Sequence, residues 1–249
     1  MMRHSLFLLP ILFLFLIFGC QEDSGILSTG DEAAPQVESS AGFGHNDKRP
    51  HSEVAYQITL DNLCPVTGEK SSQPFSPPVF ATHTRGFHMY QLGHFASYEL
   101  SRIAEVGNGQ PMADMLSKQN RVYDIAQGSG VILPGTSATF NIKGKPGFHQ
   151  LSFAAMLGIT NDGFTGVDGI NLPKHGTVTY YLHSYDAGSE RNTELERDLA
   201  AFGNPDARVP THRRIRRHRG ILGIGDLDPA IYGWKDPVAR LTITVMEDE

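Results

Sequence analysis

In several separate stretches of this chain, apolar residues recur at every second position, and that period limits the possible folds more than any other feature. Val54, Tyr56, Ile58 and Leu60 alternate with Ala55, Gln57 and Thr59. Ala138, Phe140 and Ile142 alternate with Ser137, Thr139 and Asn141, and Val178, Tyr180 and Leu182 with Thr177, Thr179 and Tyr181. Leu241, Ile243 and Val245 repeat the pattern against Arg240, Thr242 and Thr244. Successive side chains of a strand point to opposite faces, so each segment gains one apolar and one polar face. Gln150 to Leu157 is more continuously apolar and predicts a buried strand. Gly and Pro clusters separate these runs, which indicates a mainly β chain folded as an antiparallel sandwich or barrel. The first and last of these strands are expected to complete one sheet system. Helical spacing is confined to Phe95–Val106, Met112–Ser117 and Thr193–Phe202, with Thr193 as a cap. No βαβ rhythm is present, which argues against a parallel Rossmann-type sheet.

The N-terminal stretch follows different rules. Arg3 and His4 precede an apolar run from Leu6 to Phe18, followed by Gly19-Cys20. A basic head, a short apolar core and a small residue before the cut describe a secretory signal over residues 1–19. The run falls short of the roughly 20 apolar residues of a membrane span. Ile17-Phe18-Gly19-Cys20 resembles the lipobox of bacterial lipoproteins, in which the cysteine is acylated; Phe18 stands where a smaller residue is usual. The alternative is an ordinary signal with an incidental cysteine, which would leave the domain secreted or periplasmic. With Gln21 rather than Asp after Cys20, the expected destination is the outer membrane, with the membrane as partner through the lipid. Residues 20–52, rich in Gly, Ser, Glu, Asp and Pro, cannot offset their ordering entropy by burial and are expected to form a flexible tether. Residues 53–249 are then one folded domain.

Several chemistries are absent. There is no His-Glu-x-x-His, no Gly-x-Ser-x-Gly and no P-loop, and Gly220, Gly223 and Gly225 lack dinucleotide-binding spacing. His83, His88 and His94 are spaced for neither one helix face nor a short zinc loop. A formal charge of −6 argues against nucleic acid as a partner. Lipidation of Cys20 would leave Cys64 as a lone thiol, expected to be buried and inert, with intermolecular pairing as the alternative. Two acidic, glycine-rich stretches remain, Ile159–Gly169 and Ser184–Glu190, each following a strand. Carboxylates beside glycine-freed carbonyls suit a hard cation such as Ca²⁺, though Asp and Gly also serve simply as turn formers. Bringing Asp162 and Asp186 together would need parallel strands or a crossover between sheets, for which Gly163 to Lys174 is long enough.

These stretches carry a resemblance. Asn161-Asp162-Gly163-Phe164, Gly166-Val167-Asp168-Gly169 and Tyr185-Asp186-Ala187-Gly188-Ser189-Glu190 resemble the spondin N-terminal domain of F-spondin and mindin, which also occurs in bacterial lipoproteins. Further matching segments are Asn62-Leu63, Pro74-Phe75-Ser76-Pro77-Pro78, Gln91-Leu92-Gly93 and Leu133-Pro134-Gly135, with a tail from Gly223 to Arg240 like that of bacterial members. The resemblance implies a β-sandwich similar to a C2 domain, with a few short helices in its connections and one bound Ca²⁺. Its implied ligands are Asp162, Asp186 and Glu190, the last where animal members carry Asp. Leu172-Pro173 stands where animal members have a cysteine.

One basic run, His212 to Arg219, interrupts the acidic chain. If extended, Arg214, Arg216 and His218 share a face that could bind an anionic glycan or lipid headgroup. The alternative is a strand that neutralises acidic loops such as Glu190–Asp198. The expected function is a non-enzymatic, Ca²⁺-binding adhesion or ligand-binding module at the cell envelope, with a glycan, lipid headgroup or matrix-like protein as partner. The alternatives are a structural envelope protein without external ligand and a hydrolase using Asp162, Asp168 and a histidine such as His218.

Overall fold

The period-two segments become the strands of one antiparallel sheet. In a computed structural model that describes residues 36–40, 52–67, 70–204, 206 and 208–247, this sheet runs, in spatial order, β1 (Gln36–Ser40), β10 (Thr177–Leu182), β13 (Ala239–Val245), β2 (Val54–Asn62) and β7 (Ser137–Gly144). The strand starting at Val54 lies beside the last one, with Ile58 opposite Ile243 and Leu60 opposite Leu241. The chain divides into residues 1–33 and 34–249. The first unit, with Cys20 and the expected signal segment, lies outside the described residues.

A second antiparallel sheet runs β12 (Arg216–Arg217), β11 (Ser184–Asp186), β9 (Gly163–Asn171), β8 (Gln150–Met156), β5 (Val79–His83) and β6 (Val122–Gln127). A small hairpin, β3 (Val66–Thr67) and β4 (Lys70–Ser71), stands apart. The two sheets close a core in which Tyr56, Ile58, Leu60, Leu241 and Ile243 meet Phe80, Leu151, Phe153 and Val167. Phe80 and Phe153 stack with ring centroids 4.8 Å apart. Each such buried side chain contributes about 1.5–3 kcal/mol by leaving water. The architecture is a β-sandwich.

The outer face of the second sheet is covered as well. Helices α1 (Tyr98–Val106) and α2 (Gln110–Leu116) lay Leu100, Ile103, Ala104, Met112 and Leu116 over Val79, Ala81, Ala154 and Phe164. Ser97 caps α1 by accepting a bond from the Leu100 amide, and Gly107 ends it in the left-handed conformation. Sheets covered on both sides lose the alternating pattern. All residues of β5 and β8 are accordingly buried. A third short helix, α3 (Pro229–Tyr232), is capped by Asp228.

Three expectations change. Gly163–Lys174 is not a free crossover, because Gly163–Asn171 is β9 itself. Thr193–Phe202 does not form an α-helix but two single 3₁₀ turns, Glu196–Asp198 and Ala200–Phe202. The reason is tertiary: the Glu194 carboxylate accepts the amides of Leu222 and Ile224 at 2.7 and 2.9 Å, and its backbone takes φ 56°. These bonds outweigh the modest helix propensity of the segment. Finally, Gln36–Ser40, expected within a tether, pairs along its length with β10. An open sheet edge offers main-chain donors and acceptors to any extended segment, whatever its composition.

Candidate functional site

The two acidic loops meet at one end of the second sheet. β8 and β11 both run antiparallel to β9 between them, so they are parallel to each other and their C-terminal ends share an edge. Asp186 pairs with Gly163, and the Ala187 amide donates to the Asp162 carbonyl at 3.0 Å. Sequence reasoning required a parallel relation or a crossover for this juxtaposition, and β9 supplies the first. Locally, Thr160 turns the chain: its hydroxyl donates to the Leu157 carbonyl at 2.6 Å and accepts from the Gly163 amide at 2.9 Å. A Cβ on Gly163 would lie 2.6 Å from that hydroxyl, so this turn requires glycine.

Asp162, Asp186 and Glu190 are all buried. Oδ2 of Asp162 accepts the amides of Ser189 at 2.8 Å and Glu190 at 2.9 Å, while its Oδ1 is buried without a hydrogen-bond partner. Asp186 accepts from the Gly188 amide at 2.8 Å, from Asn192 Nδ2 at 2.9 Å and from the Arg216 guanidinium at 2.8 Å. Arg208 Nε lies 3.5 Å from Glu190 Oε1. Burial, reinforced by the negative charge of Asp186, pushes the Asp162 carboxyl up to about 7 against the pull of the two amides. Burial also raises Glu190 to about 8, with Glu105 and Asp162 adding to it and Arg208 opposing. This site holds more negative charge than its own hydrogen bonds satisfy.

The buried, unpartnered Asp162 oxygen fits a hard cation in charge and in donor type, with the Asp186 and Glu190 carboxylates near enough to interact with Asp162 through charge. Among the described residues, no group of three His, Cys, Asp or Glu side chains forms a preassembled metal cage. Arg216 and Arg208 hold Asp186 and Glu190 instead.

The family model described as Spondin_N matches residues 65–218, more than half of the chain. The chain belongs to the spondin N-terminal domain family. No curated protein matches it. The matched span contains both acidic loops, α1 and the basic run. Membership supports an extracellular module of the ligand-binding or adhesion type, in a family that is non-enzymatic in general.

In this spondin domain the basic run does not present one open face. Arg216 is bound to Asp186, and Arg214 donates to the Gly93 carbonyl at 2.7 Å. His218 packs its ring 5.1 Å from Trp234, and its Nδ1 accepts the Gly220 amide. Its Nε2 is buried without a partner, and burial lowers its proton affinity. Arg216 thus neutralises an acidic loop, as the alternative view of the run expects. Asp162, Asp168 and His218 are not assembled. Asp168 lies six residues along β9 from Asp162, about 20 Å away, and accepts from His88 at 2.6 Å and Ser152 at 3.2 Å. His83 is bound to Ser152 at 2.7 Å, apart from His94. Cys64 is buried, and burial pushes its thiol up to about 12.

Sequence reasoning missed Glu105 and Arg208. Glu105 is buried on α1 beside Leu100, Ile103 and Ala104, and Arg208 Nη1 lies 3.0 Å from its Oε2. A carboxylate inside an otherwise apolar helix face was the available signal. Its partner, 103 positions away, carried none.

Proposed function

We propose that this chain is a non-enzymatic, Ca²⁺-binding adhesion or ligand-binding module held at a bacterial cell envelope by lipid on Cys20, in the outer membrane. The observation that carries the calcium reading is the buried Asp162 carboxylate, one oxygen of which has no partner while Asp186 and Glu190 crowd it with like charge. Asp162, Asp186 and Glu190 would hold the ion, which brings positive charge to the unpartnered Asp162 oxygen. Arg216 and Arg208 then compete with the ion for Asp186 and Glu190 and stand in for it in its absence. At extracellular calcium, affinities of about 10⁻⁴–10⁻³ M suffice, so the ion acts as a structural clamp on the two loops. The envelope anchor is supported by the signal-like start, the lipobox-like Ile17–Cys20 and Gln21. Glycans, lipid headgroups or matrix-like proteins are the partners such a module would meet there.

The test is thermal melting of the purified domain in chelator and in millimolar Ca²⁺. The parent is expected to melt several degrees higher with Ca²⁺, and Asp186→Ala to show no such gain. Equal gains in both proteins would refute the assignment. Radiolabelled palmitate incorporation that persists in Cys20→Ala would refute the anchor.

A further inference from the structure

Between α1 and the segments flanking β11 and β12 lies a cleft of about 220 Å³, open to solvent. Its polar wall carries three guanidiniums, those of Arg102, Arg208 and Arg213. Glu105, almost fully buried at 3% exposure, fixes two of them: Arg208 Nη1 lies 3.0 Å and Arg102 Nη1 3.6 Å from its Oε2. Neither contact is angled as a hydrogen bond to that oxygen. The side chain of Arg213 is exposed and meets no hydrogen-bonding or ionic partner among the described residues. Three cations against two carboxylates, Glu105 and Glu190, leave the wall net positive by one charge. Aromatic side chains line the cleft as well. Phe95, 45% exposed, stacks on His212 at 4.0 Å with ring planes 9° apart, and Tyr98 is 68% exposed.

We propose that this cleft binds the acidic sugar unit of a glycan, a pyranose ring bearing a carboxylate or a sulfate. The proposal rests on the reading of the domain as a ligand-binding module and names the ligand class. Guanidiniums held in place by a buried carboxylate have lost their side-chain freedom before binding, so an incoming acid group meets fixed donors at little entropic cost. Phe95 is taken up by His212 and by the Arg214 guanidinium 5.0 Å from its centroid, so the exposed ring of Tyr98 is the one that offers flat apolar area to the C–H face of a sugar, which a free inorganic anion could not use. The volume is below the roughly 300–1,000 Å³ of pockets for drug-sized ligands, which matches a single ring. The open side leaves room for the rest of the glycan to continue into solvent. Gly188 and Ser189 line the cleft and also flank the Asp162 cluster, and Arg208 reaches both Glu105 and Glu190, so the two sites share a wall and one arginine.

The test is titration of the isotope-labelled domain with D-glucuronate, glucose 6-sulfate, glucose and acetate, followed by amide shifts. Saturable binding of glucuronate or the sulfated sugar is expected near about 1 mM, localised to α1 and residues 187–189 and 208–213. Glucose and acetate should bind at least about tenfold more weakly, a difference of about 1.4 kcal/mol. Which acidic sugar saturates distinguishes carboxylate from sulfate recognition. Arg213→Ala and Tyr98→Ala remove exposed side chains and should each weaken binding about tenfold with unchanged melting temperature. The proposal is overturned if neither acidic sugar saturates, if acetate binds as well as glucuronate, or if both variants bind like the parent. Each titration is repeated with Asp162→Asn in chelator; retained sugar binding there separates failure of the calcium site from failure of the cleft.

Discussion

Replacing Asp162 by Asn should make the metal-free domain more stable, an unusual outcome for a substitution at a fully buried polar residue. The Asp162 carboxyl is raised from 3.8 to about 7 in the fold. A carboxyl whose folded value lies above its unfolded one gives full stability at low pH, and that stability is lost as pH rises from about 4 through about 7. Above that window, keeping the ionised group buried costs about 4 kcal/mol, at about 1.36 kcal/mol per unit. Asn keeps an acceptor for the Ser189 and Glu190 amides and places an N–H donor where Oδ1 has no partner. Reorientation of the amide consumes part of the gain, so the expected stabilisation in chelator at pH 7.5 is about 2 kcal/mol or more. For a domain of this size that raises Tm by roughly 4 °C or more. Calcium should offset most of that difference. At 10 mM, a site with Kd of about 10⁻⁴–10⁻³ M gains about 1.4–2.7 kcal/mol in the parent, and the variant gains almost nothing. Urea unfolding followed by tryptophan fluorescence, in chelator and in calcium, reads both effects. An Asn variant less stable than the parent in chelator, with an undiminished calcium gain, would refute the electrostatic account of the site.

Two further predictions concern the scaffold. Burial lowers the proton affinity of His83, whose ring is bonded to Ser152 and to the Thr84 carbonyl. Its neutral form is favoured by folding, so stability is complete above the unfolded value of about 6.5 and falls as pH drops below it. The urea midpoint should decline between pH 6.5 and 5 less steeply in His83→Gln than in the parent, and parallel declines would dismiss His83 as the cause. Glu194→Ala leaves the Leu222 and Ile224 amides without their acceptor and should cost about 2–4 kcal/mol. Faster hydrogen exchange confined to residues 220–226 should accompany the loss, and unchanged exchange there would contradict the proposed role.

What could be read from the sequence depended on which surfaces face water. Strands β2, β7, β10 and β13 keep one face towards solvent, and their alternation located them directly. The strands of the other sheet are covered by helices on one side and the partner sheet on the other. Val79–His83 therefore carries no alternation, and the glycines of Gly163–Asn171 disguise β9 as a loop. Losing β9 also hid the reason that Asp162 and Asp186 meet, since their proximity follows from the strand between β8 and β11. The acidic loops themselves were visible, through their composition and through the family resemblance. The arginine partners were not, because an ion pair between α1 and residue 208 depends on tertiary folding and leaves no local trace. The basic run was legible as a surface stripe, since Arg214 and Arg216 are exposed, but the pairing of Arg216 with Asp186 left no local trace.

The double covering of the second sheet also governs how the domain can come apart. β8 belongs to two cores at once, with Leu151 and Phe153 in one and Ala154 in the other. Neither the helical layer nor the first sheet can peel away without exposing apolar residues of the same strand to water. The two layers are thereby joined in one cooperative unit, and fluctuations should concentrate in the loops at its rim rather than between its layers. Both candidate sites lie on that rim. Whatever they bind is seated against a wall that stays rigid.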